Sequence, residues 1–324
     1  MQRREFNRNA LAATLAAGAG FAARPAFAQS LGTLKMMVPA NPGGGWDQTG
    51  RALANAMQAE GVIKGAQFEN KGGAGGTLGL SQFINSNKGD GSALMMGGMV
   101  MVGGIILSKS QVDLSMVTPI ARLTTEPVVI VVPASSPHKT LADLMKQFKA
   151  NPGSVSWGGG SAGGTDHILA GLIAQAIGAD TTKVNYVPFK GGGEAIAAII
   201  GGHVTAGVSG LGEFAEQIKG KRMRALAVSA ETAVDGIGSL KEQGVDVVLG
   251  NWRGCFGAPG ISDTQRDALV AAVKKATESK AWQDSLAKFG WTPWFLGGPE
   301  YKAFIDQDIK RIGGMLTSLG LVKS

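Results

Sequence analysis

The chain has 324 residues, 44% hydrophobic and 17% charged, with a formal net charge of +7. It has no Lys/Arg-rich run and only 6% aromatic residues, so nucleic-acid binding has no support. The single cysteine, Cys255, excludes an intramolecular disulfide; with His138, His167 and His203 at no metal-ligand spacing, neither a metal site nor a cofactor is expected.

Residues 1–28 read as an export leader. Arg3, Arg4 and Arg8 make a basic start, residues 10–23 are almost all small or apolar, and Ala26-Phe27-Ala28 fits a small-x-small cleavage site that leaves Gln29 first. Arg3-Arg4-Glu5-Phe6 is similar to a twin-arginine signal, and an ordinary secretory leader is the alternative. The apolar run is too short and too rich in Gly and Ala for a span of about 20 strongly apolar residues. A periplasmic protein, not itself inserted in a membrane, is expected. The leader holds four of the 31 basic and one of the 24 acidic residues, which leaves about +4, compatible with an anionic ligand.

In chain order, Leu34–Val38 reads as a first strand, followed by a turn and a helix with Leu53, Ala56 and Met57 at helical spacing. A strand over 67–69 leads to Gly72–Thr77 and a helix carrying Leu80, Phe83 and Ile84; a third strand covers 93–96. This alternation predicts an α/β domain with a largely parallel sheet. Val128–Val132, ended by Pro133, predicts a strand buried on both faces. Then come a helix with Leu141, Leu144, Met145 and Phe148, a strand over 155–157, and a helix with the apolar stripe Ile168, Leu169, Leu172, Ile173 and Ala176. Strands over 184–189, 204–208 and 224–228 follow, and residues 262–290 and 299–319 read as helices. The C-terminal helices need a surface already built. The expected organisation is therefore one domain of residues 29–125 plus 228–324, with residues 126–227 inserted as a second, joined by crossings near 122–127 and 225–232.

Fifty glycines are about twice the usual share, and they cluster where strands turn into helices. Gly44-Gly45-Trp46-Asp47 and Gly163-Gly164-Thr165-Asp166 repeat one pattern, one in each domain. Gly191-Gly192-Gly193-Glu194 repeats the theme, and Gly75-Gly76-Thr77 is a looser echo. A helix start offers unpaired N–H groups and a partial positive charge, and glycine lets a ligand approach the backbone. Two such starts facing one cleft make a clamp for a molecule with carboxylates at both ends. The alternative is that these turns serve only close helix–sheet packing. Asp47, Asp166 and Glu194 read as caps that hold loop amides. No Gly-Lys-Ser/Thr phosphate loop and no nucleophile elbow are expected, and the histidines lack triad partners. His167 is expected to donate into the cleft or face solvent. The chain does not read as an enzyme.

Pro42-Gly43-Gly44-Gly45-Trp46-Asp47, the run from Glu69 to Thr77 and Asp90-Gly91 resemble the substrate-binding proteins of tripartite tricarboxylate transporters, the Bug family, and the Pro42–Asp47 start, Gly191-Gly192-Gly193-Glu194 and Trp252-Arg253-Gly254 look closest to its citrate-binding branch. The resemblance implies an α/β, two-lobed periplasmic-binding-protein fold of type II, with a hinge and an interdomain cleft. It implies that the loops 42–47 and 161–166 hold a small organic carboxylate through backbone amides, hydroxyls and bridging water. The ligand-binding residues expected are Pro42, Gly43, Gly44, Gly45, Trp46 and Asp47; Gly75, Gly76 and Thr77; Ser161, Gly163, Gly164, Thr165, Asp166 and His167; and Gly192 and Gly193. The implied partner is a membrane permease of one large and one small subunit, and the receptor is expected to be a monomer. Trp46 stands where many members have a small residue or Thr, and its indole would narrow the pocket or stack on a flat solute. The solute stays open among citrate, a dicarboxylate, an aromatic acid and an acidic amino acid. A periplasmic sensor subunit docking on a signalling kinase, or an exported hydrolase, are the competing functions.

Overall fold

A computed structural model describes residues 31–190 and 192–323 of the chain. The leader, its cleavage site before Gln29 and Gly191 lie outside the described residues.

The first three strands, β1 (Thr33–Val38), β2 (Gly65–Asn70) and β3 (Ala93–Gly98), are joined by α1 (Gly45–Ala59) and α2 (Thr77–Ser86) and pair in parallel with β1 in the middle. Leu53, Ala56 and Met57 of α1 are buried, as their spacing predicts. The next helix, α3 (Met99–Ser108), was not expected. Its sequence Met-Val-Met-Val-Gly-Gly-Ile-Ile-Leu-Ser is apolar all round, so it carries no amphipathic stripe to mark it.

The strand expected over 128–132 is the end of a much longer one, β4 (Thr118–Pro133). In it Val128, Ile130 and Val132 join the large core cluster while Val129 and Val131 join a smaller one, so both faces are buried. The chain continues through α4 (Leu141–Ala150), β5 (Ser156–Gly159), α5 (Thr165–Ala176), β6 (Asn185–Pro188), α6 (Gly192–Ile200), β7 (Ala206–Gly210), α7 (Leu211–Lys219) and β8 (Met223–Val228). It returns through β9 (Gly250–Gly257), α8 (Asp263–Thr277), α9 (Lys280–Phe289), β10 (Thr292–Gly297) and α10 (Gly298–Ser318).

The ten strands form one sheet in the order β2-β1-β3-β9-β4-β7-β5-β6, with β10 and β8 also on β4. β4 changes partners along its length. Thr118–Pro127 pairs with β9 and in part with β10, and Val128–Pro133 pairs with β7 and β8, all antiparallel. The expectation of a largely parallel sheet is thus corrected. The outer strands β2-β1-β3 and β7-β5-β6 are parallel, but the middle is antiparallel. An apolar strand reads the same in either direction, so its sequence does not carry its orientation.

Two further corrections concern the C-terminal part. Residues 262–290 are two helices, because Ser279 ends one turn and caps the next by accepting from the Trp282 N–H at 3.2 Å. β10, containing Pro293 and largely exposed, lacks the alternation that marks a half-buried strand. The last helix, α10, buries Tyr301, Ile305, Ile312 and Leu316, and the Trp252 indole N–H of β9 donates to its Asp308 at 2.7 Å.

Candidate functional site

The two glycine turns before α1 and α5 share one backbone geometry. Each has a glycine in the left-handed region, Gly43 at φ 86° and Gly163 at φ 76°, which a side chain would strain. Each then has an extended glycine N-cap, Gly44 at φ −80°, ψ 170° and Gly164 at φ −77°, ψ −178°, with no side-chain cap. In both, the left-handed glycine donates its N–H to the side chain four residues on. Gly43 donates to Asp47 Oδ2 and Gly163 to His167 Nδ1, each at 3.1 Å.

This corrects the register read from the sequence by one residue. The counterpart of Asp47 is His167, not Asp166. The paired Gly-Gly-x-Asp patterns hide this, because Asp166 reaches back instead to the Gly160 N–H at 2.7 Å. Asp47, Asp166 and Glu194 all hold loop amides, Glu194 accepting from Lys190 N at 3.2 Å. His167 neither faces solvent nor donates through Nδ1. Its ring stacks on Tyr186 with centroids 4.3 Å apart, and burial holds it neutral, its pKa lowered to about 4.

In the corrected register the second residues of the two helices are Trp46 and Asp166, and both line one cleft. This cleft encloses about 620 Å³, open to solvent, between the two halves of the sheet. Gly44 and Gly45 wall it from one side, Ser161, Phe189 and Gly192 from the other. Pro42 and Gly43 are exposed at the turn outside it. Gly163 and Gly164 are packed against α3: a Cβ at Gly164 would lie 2.9 Å from both Val100 Cγ1 and Ser161 O. Thr165 is buried and donates to Asn251 Oδ1 at 3.0 Å, and Thr77 donates to Ala74 O at 2.9 Å. Gly76 backs the Trp46 indole, a Cβ there meeting Cζ3 at 2.9 Å. Gly75 instead lines an adjoining, mostly apolar cavity of about 860 Å³ that shares Ser161, Phe189 and Lys190 with the first. Gly193 is exposed.

The polar floor of the cleft was missed in the sequence. Arg253 of β9 is 1% exposed; its guanidinium donates to Glu126 of β4, to Glu213 Oε1 of α7 at 3.2 Å and to Thr49 Oγ1 at 3.3 Å. Glu213 lies against the Gly45 N–H and the Ser209 hydroxyl, so a carboxylate from one half of the molecule already sits at the start of α1 in the other. Burial pushes Glu126 up to about 7 against the pull of Arg253, and Asp166 up to about 7 against its bond from Gly160. Glu213 is raised by burial as well. The signal that could have found this group is an arginine inside the apolar run Trp252–Gly257 and a glutamate just before Val128–Val132. Charges in buried strands must find partners.

One exclusion also needs correcting. Gly159-Gly160-Ser161-Ala162-Gly163 does carry the Gly-x-Ser-x-Gly spacing of a nucleophile elbow. Among the described residues no histidine is hydrogen-bonded to Ser161, and His167 Nδ1 is taken by the Gly163 N–H, so the spacing here shapes a turn.

The sequence matches the family model of the tripartite tricarboxylate transporter family receptor over residues 51–321. A UPF0065 protein from the gbd 5′ region of Cupriavidus necator is 30% identical, over 100% of both chains. The solved periplasmic binding protein BugD is 22% identical with a TM-score of 0.79, covering 90% of this chain and 99% of its own. A Rhodopseudomonas palustris protein with adipate gives a TM-score of 0.80 at 19% identity, over 89% and 97% of the two chains. MatC from Rhodopseudomonas palustris with bound malate gives 0.75 at 21% identity, over 88% and 99%. These structures share the fold.

Proposed function

The chain belongs to the tripartite tricarboxylate transporter receptor family of periplasmic solute-binding proteins, and from that premise we propose that it captures a small organic carboxylate and delivers it to a two-subunit membrane permease. The observation that carries this reading is the pair of matching glycine-capped helix starts, one from each half of the sheet, beside one cleft. The partial positive charge at such starts favours an anion. Malate and adipate, held by two proteins of the same fold, are both dicarboxylates.

In this reading the loops 42–47 and 161–166 hold the solute through amides and hydroxyls, Gly192 completes the opposite wall, and Gly76 supports the Trp46 indole from behind. The two lobes are residues 29–125 with 228–324, and residues 126–227. The change of partners along β4 near Val128 supports that division. So does Ser229, which binds Val128 N and Leu249 O where the chain crosses back. The protein acts as a monomer and performs no reaction on its solute.

The test is a thermal-shift screen of organic acids that includes malate, adipate and citrate. A true ligand at about 100 times its Kd stabilises the fold by roughly 2.7 kcal/mol. A melting shift of about 5 °C or more is then expected. A panel of acids that leaves the melting point unmoved at millimolar concentration counts against the reading.

A further inference from the structure

The cleft assigned above to an anion is itself acidic. Asp166 from the start of α5 and Glu213 from α7 line it, and Glu126 of β4 lies buried behind them, paired with Arg253. Facing them from β9 is Arg253, the buried cation of the group. Among the described residues, Lys190 at the exposed rim is the other cation lining the cleft. Among the described residues, Tyr186, His167, Asp47 and Glu194 beside the cleft carry no positive charge. Tyr186 and His167 are held neutral by burial, Asp47 is paired with Arg51 at 2.9 Å, and Glu194 at the rim accepts from Asn41 at 2.8 Å. Glu126 and Glu213 therefore share one guanidinium before any solute arrives, and Asp166 lines the cleft with no ion pair to it. Moreover, Glu213 lies at the Gly45 N–H, so one of the two helix starts already has its carboxylate.

A fully ionised dicarboxylate would add two negative charges to this space, and buried charges without partners are strongly disfavoured. We propose that the cleft selects a solute that carries a carboxylate together with a hydrogen-bond donor directed at Asp166 and Glu213. The donor has two possible sources. It is an ammonium group on a monocarboxylate, or it is a proton shared between a dicarboxylic acid and the acidic pair. The proposal rests on the carboxylate-capture reading and adds to it the charge state in which the solute is held. Asp166, displaced upward to about 7, is placed to share such a proton near neutral pH.

The experiment is calorimetric titration of the purified protein at pH 6 and pH 8, each in two buffers of different ionisation heat. Two matched pairs serve as probes, adipate against 5-aminopentanoate and succinate against 3-aminopropanoate. In each pair an ammonium group replaces one carboxylate. If the donor is a shared proton, a dicarboxylate binds with uptake approaching one proton at pH 8. Its Kd then weakens by up to tenfold per pH unit above 7. If the donor is an ammonium group, the amino compound of a pair binds more tightly, releases protons at pH 6 and tightens toward pH 8 as the acidic pair ionises. Either result supports the proposal, and Glu213→Gln or Asp166→Asn should then reduce the uptake or the preference for the amino compound. A dicarboxylate that binds equally well at pH 6 and pH 8 with no proton uptake, and better than its amino partner, overturns the proposal while leaving carboxylate capture intact. Failure of every probe and every other organic acid at both pH values overturns the capture reading as well.

Discussion

Arg253 sits in β9 between Trp252 and Gly254, in a run that otherwise carries no charge. Its guanidinium is what lets Glu126 and Glu213 stay in the interior. Arg253→Leu removes the partner and leaves two buried carboxyls, a change that usually costs about 3–5 kcal/mol. The pH dependence has a definite sign. A carboxyl whose folded pKa is raised gives stability that is complete below its unfolded value and lost as pH rises through the folded one. For Glu126 that window runs from 4.5 to about 7, and loss of Arg253 extends it upward. The deficit of Arg253→Leu in urea denaturation should be small near pH 5 and largest near pH 8; an equal deficit at both would mean that lost packing, not charge, is the cause. His167 works in the opposite sense. Its folded pKa is depressed to about 4, so its contribution is complete above 6.5 and lost on acidification.

The turns and helices decide how close the two halves come. α3 lies against the turn before α5, and a Cβ at Gly103 would run into the Gly163 carbonyl oxygen. That neighbour is backbone and cannot swing aside. Gly103→Ala should therefore fold with nearly unchanged stability but hold the cleft ajar, weakening the Kd for the solute found by thermal shift by tenfold or more. An unchanged Kd in calorimetry would mean that the approach of α3 is not needed for binding. At the crossing itself, Ser229 is fully buried; its hydroxyl accepts from Val128 N at 2.9 Å and donates to Leu249 O at 2.5 Å. Ser229→Ala leaves both backbone groups without that partner and should cost about 2 kcal/mol in chemical denaturation. A loss under about 0.5 kcal/mol would show that water or a shift of the strand replaces the hydroxyl.

Several contacts join the two halves across the cleft. They include Asn41 to Glu194 at 2.8 Å, Thr165 to Asn251 at 3.0 Å and Glu213 to Arg253 at 3.2 Å. In the proposed two-lobe division, opening about the paired crossings would break all three together and leave the strands β2-β1-β3 and β7-β5-β6 whole on either side. That is the geometry of a hinge closing on a ligand. A solute that reaches both helix starts only in the closed state shifts the population toward it. Small-angle scattering should give a smaller radius of gyration with a tight acid than without. A tight ligand that leaves the radius unchanged would place binding on one half alone.

The sequence by itself determined the α/β class, the order of most strands and helices, and the glycine turns. These depend on local rules: apolar period, strand composition, and the backbone freedom that Gly43 and Gly163 need. It also carried the family, through motifs such as Pro42–Asp47. It did not determine that β4, β8, β9 and β10 run antiparallel, since an apolar strand has no readable direction. Nor did it reveal α3, which is apolar on every face, or the true register of the two turns, since Asp47 and Asp166 look alike in sequence but bind their loops at different offsets. The acidic floor of the cleft was the largest omission. Glu126, Glu213 and Arg253 are separated by 40 residues or more along the chain. Only the sheet order, which puts β9 beside β4, and the closing of α7 onto the start of α1 bring them together. Burial then changes their chemistry, because charges that water would have separated must share one another's hydrogen bonds.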